Sequence, residues 1–335
     1  METENKINQT PKQQDVNIIK QSTPKNEALH LRTFAPIFVI LAAIFWGILV
    51  VFVRAFGQAD FESMEIVTLR VYSSAIFAWI FLFLFDRRSQ RTVFHIRDSW
   101  CFIGTGLVSI VFFSYCYFRN VEVSSAAVAA ILMYTSPIFV TLLSSIFFKE
   151  KMTRTKLFAL ILAIIGCALV SGIAPVSYSG ITEGVGTPSL LGILLGLGSG
   201  IGYALYSIFG RFALNKGYSP FFVTAMTFTF ACVGVLPFID IAGFVTRLVN
   251  EPKYILLALA MGLVGSCTPF ALYTLGLRYM EASKAAILAT LEPIVTALVG
   301  TIFYKEPIDL FIIMGIIMVL VAGILCSCPG KTSAS

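Results

Sequence analysis

The sequence predicts an all-α, polytopic membrane protein of ten transmembrane helices, arranged as two inverted five-helix repeats. Three observations predict this fold class: ten apolar runs of membrane-spanning length, a one-sided distribution of Lys and Arg, and an internal repeat. Of the 335 residues, 57% are hydrophobic and only 13% are charged, so the chain has more apolar side chains than a soluble core of this size buries. We therefore expect lipid to surround most of the chain.

Each predicted span is an apolar run of about 20 residues, which is the helical length that crosses a hydrocarbon core of about 30 Å. Residues 1–33 are polar and are predicted to form a disordered tail. The longest connections, residues 175–189 and 240–253, are too short for a soluble domain, so any chemistry must take place inside the bundle. The predicted spans are Pro36–Val53, Ile66–Phe85, Ser99–Phe118, Ser124–Phe148, Leu157–Ala174, Leu190–Gly210, Phe221–Ile239, Tyr254–Leu277, Ala285–Tyr304 and Leu310–Ser327.

Lys and Arg are concentrated on one side of these spans. When the loops are assigned to alternating sides, 18 of the 24 basic residues fall on the side of the N-terminus, five fall on the other, and Arg70 lies within a span. The positive-inside rule then places both termini in the cytoplasm of a multi-pass protein of the cell membrane. The basic residues are thus topology signals, and the net charge of +6 does not indicate a nucleic-acid partner.

The internal repeat pairs each residue with the one 156 positions later. Residues 126–150 and 282–306 share 12 identities in 25 positions, and a slippage of one residue aligns Trp46 with Tyr203 and Arg54 with Arg211. The period covers five spans, so the second copy must be inverted relative to the first. We expect a first repeat over residues 34–174, an external linker over 175–189 and a second repeat over 190–328. Inverted repeats are typical of transporters, because two similar halves of opposite orientation give two nearly degenerate states.

Several short motifs recur along the chain from Phe34 to about Ser327. They are Trp46-Gly47, Leu69-Arg70, Tyr134-Thr135-Ser136-Pro137, Lys149-Glu150, Leu291-Glu292-Pro293 and Lys305-Glu306. With these motifs the chain resembles the drug/metabolite transporter superfamily, and most closely its EamA-type members. The resemblance implies transport of a small organic solute, such as an amino acid, amine, nucleoside, sugar or drug, often outward.

Glu292 is the most informative candidate for a substrate or proton site. It is the eighth of twenty residues in the predicted span Ala285–Tyr304, where an uncompensated carboxylate costs roughly 3 kcal/mol or more. We expect it to face protein or a wet cavity, where it could load and release a proton as the cavity changes sides. Its repeat equivalent is Ser136, which is also a candidate for the site, so only one half carries the charge. The alternative is a structural, protonated Glu bonded to a neighbouring helix.

The remaining candidates for the solute site are one cation and several aromatic rings. Arg70 could contact an anionic group of the solute or pair with an acidic side chain, or it could extend outward to the membrane interface. Trp46, Tyr203 and Tyr206 lie in the first helices of the two repeats, which the resemblance places near a central cavity. Aromatic walls suit organic solutes and cations. Each ring could equally serve packing.

Two equivalent pairs of motifs have structural interpretations. Pro137 and Pro293 each break the hydrogen bonding of a span, which can line a cavity or kink a packed helix. Lys149-Glu150 and Lys305-Glu306 fall on opposite faces of the membrane although the motif is the same. Because the motif occurs on both faces of the membrane, we interpret it as a lock, a motif that terminates a helix and holds its end in place.

The alternatives to a transporter are an intramembrane enzyme and a passive channel. The sequence has no recognisable catalytic motif, nucleotide-binding loop or metal-ligand spacing, so we expect no enzyme, no catalytic residue, no metal and no cofactor. A channel would not need a charge in only one half. The expected partners are a small-molecule solute and membrane lipid, and the sequence leaves open whether two copies form a homodimer.

Overall fold

A computed structural model of the protein describes residues 25–86, 94–171 and 189–327. Every secondary-structure element in those ranges is helical, and nine of the helices are long and apolar enough to cross a membrane. The predicted all-α polytopic fold is therefore confirmed. In chain order the helices are α1 (Lys25–Gly57), α2 (Ser63–Phe85), α3 (Ile96–Val123), α4 (Ala126–Phe148), α5 (Arg154–Val170), α6 (Leu190–Asn215), α7 (Pro220–Phe238), α8 (Ile241–Asn250), α9 (Lys253–Tyr279), α10 (Ala282–Tyr304) and α11 (Leu310–Ser327).

Helix α5 is not among these nine helices, but it stands at the fifth position of the first repeat, where the repeat requires the tenth membrane helix. It has 17 described residues and packs along α11, its equivalent in the second repeat. The two helices approach closely at Gly166 and Gly315, where a Cβ added to Gly315 would lie 2.7 Å from the carbonyl oxygen of Gly166. Small residues are what permit such close contact between membrane helices. The end of the predicted fifth span and the predicted linker, residues 172–188, lie outside the described residues.

Two helices differ from the sequence expectation. Helix α1 begins at Lys25, so residues 25–33 of the predicted tail are helical, because good helix formers such as Lys, Glu, Ala and Leu extend α1 beyond the apolar run. The rest of the predicted tail, residues 1–24, lies outside the described ranges.

Helix α8 lies within residues 240–253, which were predicted as a connection. The side chain of Asp240 accepts from the backbone N–H groups of Ala242 and Gly243 and so caps α8. Phe244 packs in an apolar cluster with Phe56 and Phe61. The 10-residue helix is amphipathic and too short to span a membrane, so a search for spans misses it.

Helices α4 and α10 are interrupted at equivalent points. In α4 the segments Ala126–Met133 and Ser136–Phe148 flank the break, and in α10 the segments are Ala282–Ala289 and Glu292–Tyr304. Pro137 and Pro293 each stand in the first turn of the second segment, where proline leaves no intrahelical hydrogen bond unmade. The fixed geometry of proline thus starts a new segment in both repeats.

The two Lys-Glu motifs end these helices in the same way. Lys149 and Lys305 have positive φ values of 56° and 58°, the left-handed conformation that terminates many helices. The following residues, Glu150 and Glu306, donate their backbone N–H groups to the carbonyls of Ser144 and Gly300 at 3.3 and 3.2 Å. The structure thus agrees with the interpretation of these motifs as locks at helix ends.

The third helix of each repeat contains a π-helical stretch. Gly104–Val111 forms it in α3 and Met261–Cys267 forms it in α9, at positions that the repeat relates. Such stretches shift the register of side chains and occur frequently at functional sites. The hydroxyl of Ser74 on α2 donates to the carbonyl of Gly262 within the second stretch, at 3.2 Å. The π-helical stretch of α9 therefore contacts α2.

Candidate functional site

A pocket lies between the two repeats, near the middle of the bundle. Two pairs of repeat-related rings, Trp46 with Tyr203 and Phe113 with Phe270, contribute to it, so the pocket lies on the pseudo-two-fold axis. Its full lining is Trp46, Arg70, Ser109, Ile110, Phe113, Tyr203, Tyr206, Ser207, Phe270 and Tyr273. Helices α1, α2, α3, α6 and α9 supply these side chains.

The aromatic rings of the pocket contact one another across the repeats. Trp46 of the first repeat meets Phe270 of the second edge-on at 5.1 Å between centroids. In the contact that the repeat relates to it, Tyr203 of the second repeat meets Phe113 of the first edge-on at 5.4 Å between centroids. Edge-to-face contacts at this distance are favourable, so the rings form an interlocked wall that joins the halves.

Glu292 lies beside this wall, at the start of the second segment of α10. Its carboxylate accepts a hydrogen bond from the hydroxyl of Tyr203 at 3.3 Å. The side chains of Tyr117 and Tyr134 also lie within electrostatic range of this carboxylate. Phenol groups stabilise a carboxylate by hydrogen bonding and lose little when it is protonated, because a hydroxyl both donates and accepts. The Tyr203 hydroxyl can therefore hydrogen-bond to Glu292 in either protonation state.

The break in α10 is brought close to α1 by a glycine. A Cβ added to Gly47 would lie 3.0 Å from the carbonyl oxygen of Glu292 and 2.5 Å from the Cβ of Val295. The absence of a side chain at Gly47 thus lets α1 approach the start of the second segment. The Trp46-Gly47 motif therefore has two roles, a ring in the pocket and a close helix contact.

Arg70 faces the interior of the bundle and does not extend to the interface. Its Nη2 donates to the Oγ of Ser114 at 3.3 Å, and its Nε is buried without a hydrogen-bond partner. Glu292 and Tyr203 lie within electrostatic range of the guanidinium. Within the described ranges, no ion pair of 4 Å or less joins Arg70 to a carboxylate. Arg70 therefore has an unused donor in a pocket where a buried unpaired group is costly.

Hydroxyl pairs fix the other side of the pocket. Tyr206 and Thr274 lie 2.7 Å apart between their oxygens, and Ser207 and Tyr273 are also separated by 2.7 Å. Each pair joins α6 to α9. These buried hydroxyls satisfy one another and so hold the wall in place. Arg70 is the charged residue in the lining, and Glu292 lies next to it through Tyr203.

The pocket is narrow in this conformation. Its free volume is about 20 Å³, which is room for about one water molecule. A larger pocket of about 460 Å³ opens at the end of the bundle that carries Glu306 and is lined in part by Tyr115, Phe118 and Glu122. An organic solute would fit the central pocket only after its walls separate.

The structure brings most of the predicted site residues together. Trp46, Arg70, Tyr203 and Tyr206 line the pocket, and Glu292 bonds to one of its tyrosines. Ser136 is buried at the start of the second segment of α4 and is not part of the pocket lining.

Phe113 and Phe270 line the pocket but were not among the predicted site residues. The register that pairs Trp46 with Tyr203 also pairs Phe113 with Phe270, so this register could have found them.

The fold and the pocket define a class of protein before any comparison is made. Two inverted helical repeats, interrupted helices and a pocket at the interface between the repeats are the architecture of secondary transporters. The chain belongs to the EamA-like transporter family, whose sequence model matches residues 33–172 and 190–328, one match for each repeat. The predicted resemblance is therefore confirmed.

Individual relatives align with 86% and 88% of the chain. A protein of Archaeoglobus fulgidus, named an uncharacterized transporter, is 28% identical over 288 residues, which cover 86% of this chain and 93% of that protein. The Salmonella typhimurium protein YicL, named an uncharacterized inner membrane transporter, is 24% identical over 306 residues, covering 88% and 96%. A solved crystal structure aligns with a TM-score of 0.69 and 13% identity, covering 87% of this chain and 95% of that one, and shows the shared fold.

Proposed function

We propose that the protein is a secondary transporter that moves a small organic solute, such as an amino acid or amine, out of the cell by alternating access. The observation that carries the proposal is the aromatic pocket between the repeats, which Arg70 lines and whose Tyr203 donates a hydrogen bond to Glu292. Membership of the EamA-like transporter family supports the general activity. Intramembrane charges are costly, and they commonly mark solute or ion pathways.

The pocket offers complementary groups for a solute that carries both charges or one of them. Arg70 has a free Nε donor for a carboxylate, and its planar guanidinium suits bidentate contacts. Glu292 could accept an amino group, and the rings of Trp46, Tyr203 and Phe270 would cover the apolar part of the solute. These groups favour an amino acid or a related amine over a solute without charge.

Glu292 is the group proposed to couple transport to protons. When the pocket faces one side of the membrane, the carboxylate would take up a proton or an amine, and when the pocket faces the other side it would release it. The Tyr203 hydroxyl can hydrogen-bond to both forms, as described above. Proton movement down its gradient would then drive the solute in the opposite direction.

Flux measurements with the purified protein in proteoliposomes test this proposal. Labelled amino acids, amines and nucleosides are screened with and without a pH gradient across the membrane. We expect saturable flux of an amino acid or amine that the gradient accelerates. Glu292→Gln keeps the shape of the side chain but removes its titration, so this variant should lose the acceleration even if it still binds the solute.

A matched control removes a carboxylate elsewhere. Glu251 is exposed and pairs with Lys253 at 2.6 Å outside the membrane-spanning segments, so Glu251→Gln should transport like the wild type. Wild-type pH dependence in Glu292→Gln would remove Glu292 from the coupling step. Flux that never saturates would favour a channel, and chemical conversion of the solute would favour an enzyme.

A further inference from the structure

Two equivalent clusters at opposite ends of the bundle have different pairings. Each cluster contains the arginine near the end of the first helix of one repeat and the glutamate that follows the fourth helix of the other repeat. The repeat relates Arg211 to Arg54 and Glu150 to Glu306. The Glu150 end is predicted to be cytoplasmic from the distribution of Lys and Arg.

At the Glu150 end, the two side chains hold the turn between α9 and α10. The carboxylate of Glu150 accepts from the backbone N–H groups of Ala282 at 2.7 Å and Ser283 at 3.1 Å, and from the Ser283 hydroxyl. Arg211 donates to the carbonyls of Leu277 and Met280 at the end of α9. An anion at a helix start and a cation at a helix end both stabilise these contacts. We call this arrangement the clamped turn.

At the Glu306 end, the same two residue types bind each other. Arg54 Nη1 lies 2.7 Å from Glu306 Oε1, and its guanidinium covers the ring of Tyr304 at 4.3 Å. The equivalent turn between α3 and α4 is capped by its own Ser125, which accepts from the N–H of Val128. No hydrogen bond within the described ranges joins Arg54 or Glu306 to that turn. We call this arrangement the released turn.

A buried lysine reinforces the clamped turn and has no counterpart at the other end. Lys156 Nζ lies 3.0 Å from Glu281 and 3.9 Å from Glu150, and the repeat equivalent of Lys156 is Ile312. The Glu150 and Lys156 side chains are 7% and 5% exposed, whereas those of Arg54 and Glu306 are 37% and 48% exposed. The pocket of about 460 Å³ opens beside the released turn.

We propose that these clusters are the two gates of the transporter and that the clamped and released arrangements exchange between them. When the Glu150 end opens, Glu150 leaves the start of α10 and pairs with Arg211, as Glu306 now pairs with Arg54. Arg54 and Glu306 then hold the turn between α3 and α4. Because the repeats share the Arg and the Glu, each end can adopt both arrangements. The exchange rests on the proposed alternating access and gives it a physical switch.

Variants that weaken only the clamped turn test the exchange. Ser283→Ala removes a donor to Glu150 and Lys156→Ile removes the buried cation, and each installs the residue type found at the equivalent position, Ala127 or Ile312. The full-length protein is placed in lipid nanodiscs. A polar maleimide reaches both ends of the bundle there, so the labelling does not depend on which end of the protein is cytoplasmic. Reporter cysteines at Ala286, buried near the clamped turn, and at Tyr115, in the open pocket, are compared with the parent that lacks them.

We expect each gate variant to raise the labelling rate of Ala286→Cys by about tenfold, the effect of losing one charged hydrogen bond. In the double variant, the labelling of Tyr115→Cys should fall as the other end closes. Lys253→Ile, which removes an exposed lysine, is the matched control and should change neither rate.

Two results would overturn the exchange. One is an unchanged Ala286→Cys rate in both gate variants. The other is a raised rate with no fall at Tyr115→Cys, since local fraying would then explain it. If Lys156→Ile does not fold, Ser283→Ala still tests the exchange, because the Ser283→Ala substitution leaves no buried charge without a partner. The labelling needs no solute, so it can fail or succeed independently of the flux measurements.

Discussion

The hydroxyl of Tyr203 donates to the carboxylate of Glu292 at 3.3 Å, within the second repeat. The repeat equivalents of these residues are Trp46 and Ser136, so the first repeat cannot form the same pair. The site therefore combines two repeat-related pairs of rings with two charged residues, Arg70 and Glu292, whose repeat equivalents Thr227 and Ser136 are uncharged. A transporter needs similar halves to exchange states, whereas the proposed binding of one proton or amine needs a carboxylate in only one half, here Glu292.

Tyr203→Phe tests whether this hydrogen bond serves transport. The variant keeps the ring in its contacts with Trp46 and Phe113 but removes the donor to Glu292. We expect the rate of gradient-driven flux to fall by about tenfold, the usual effect of losing a hydrogen bond to a charged group. Tyr254→Phe, at the start of α9 with its ring packed on Phe56 and Phe61, is the control. An unchanged rate with an unchanged pH profile would mean that the ring of Tyr203 matters only for packing.

Arg70→Lys tests a contact with an anionic part of the solute. The substitution keeps the positive charge but loses the planar fork and the buried Nε. We expect the apparent KM of a solute with a carboxylate to rise by about tenfold, and that of a simple amine to stay unchanged. Arg119→Lys, in an exposed pair with Glu122, is the control. If the wild type and Arg70→Lys have equal KM values for the carboxylate solute, Arg70 has only a structural role.

Gly47→Ala tests the close approach of α1 and α10. The added Cβ would lie 2.5 Å from the Cβ of Val295, so the two helices must separate. We expect the free energy of unfolding to fall by about 1–3 kcal/mol, as for other overpacked sites, which thermal unfolding in detergent measures. Gly57→Ala, with no atom within 4 Å of the added Cβ, should change it by less than about 0.5 kcal/mol. Equal stability of the two variants would contradict the contact.

The predicted orientation can be checked by labelling intact cells. Lys151 and Asn250 lie at opposite ends of the bundle, and both are exposed. If the termini are cytoplasmic, an impermeant maleimide should label a cysteine placed at Asn250 and should spare one placed at Lys151 until the membrane is permeabilised. The reverse pattern would invert the topology and with it the assignment of the two gates.

The sequence alone determined the elements that depend on local composition. Apolar length identifies the spans because a bilayer requires about 20 helical residues whatever the tertiary contacts. The repeat identified the equivalence of Lys149 with Lys305 and of Pro137 with Pro293, since helix termination and interruption are properties of a short stretch of chain. The expected charged candidates, Glu292 and Arg70, followed from the cost of a charge inside a membrane.

Only the tertiary structure decided which side chains meet. In a soluble helix the apolar face marks the core, but a membrane helix is apolar toward both lipid and protein, so periodicity does not tell which way a ring points. Rotation of each helix about its axis is set by small-residue contacts such as Gly47 with Val295. This is why the sequence could not separate the pocket ring of Phe270 from the many other rings. For the same reason, it could not show that Glu150 caps α10 while its equivalent Glu306 pairs with Arg54.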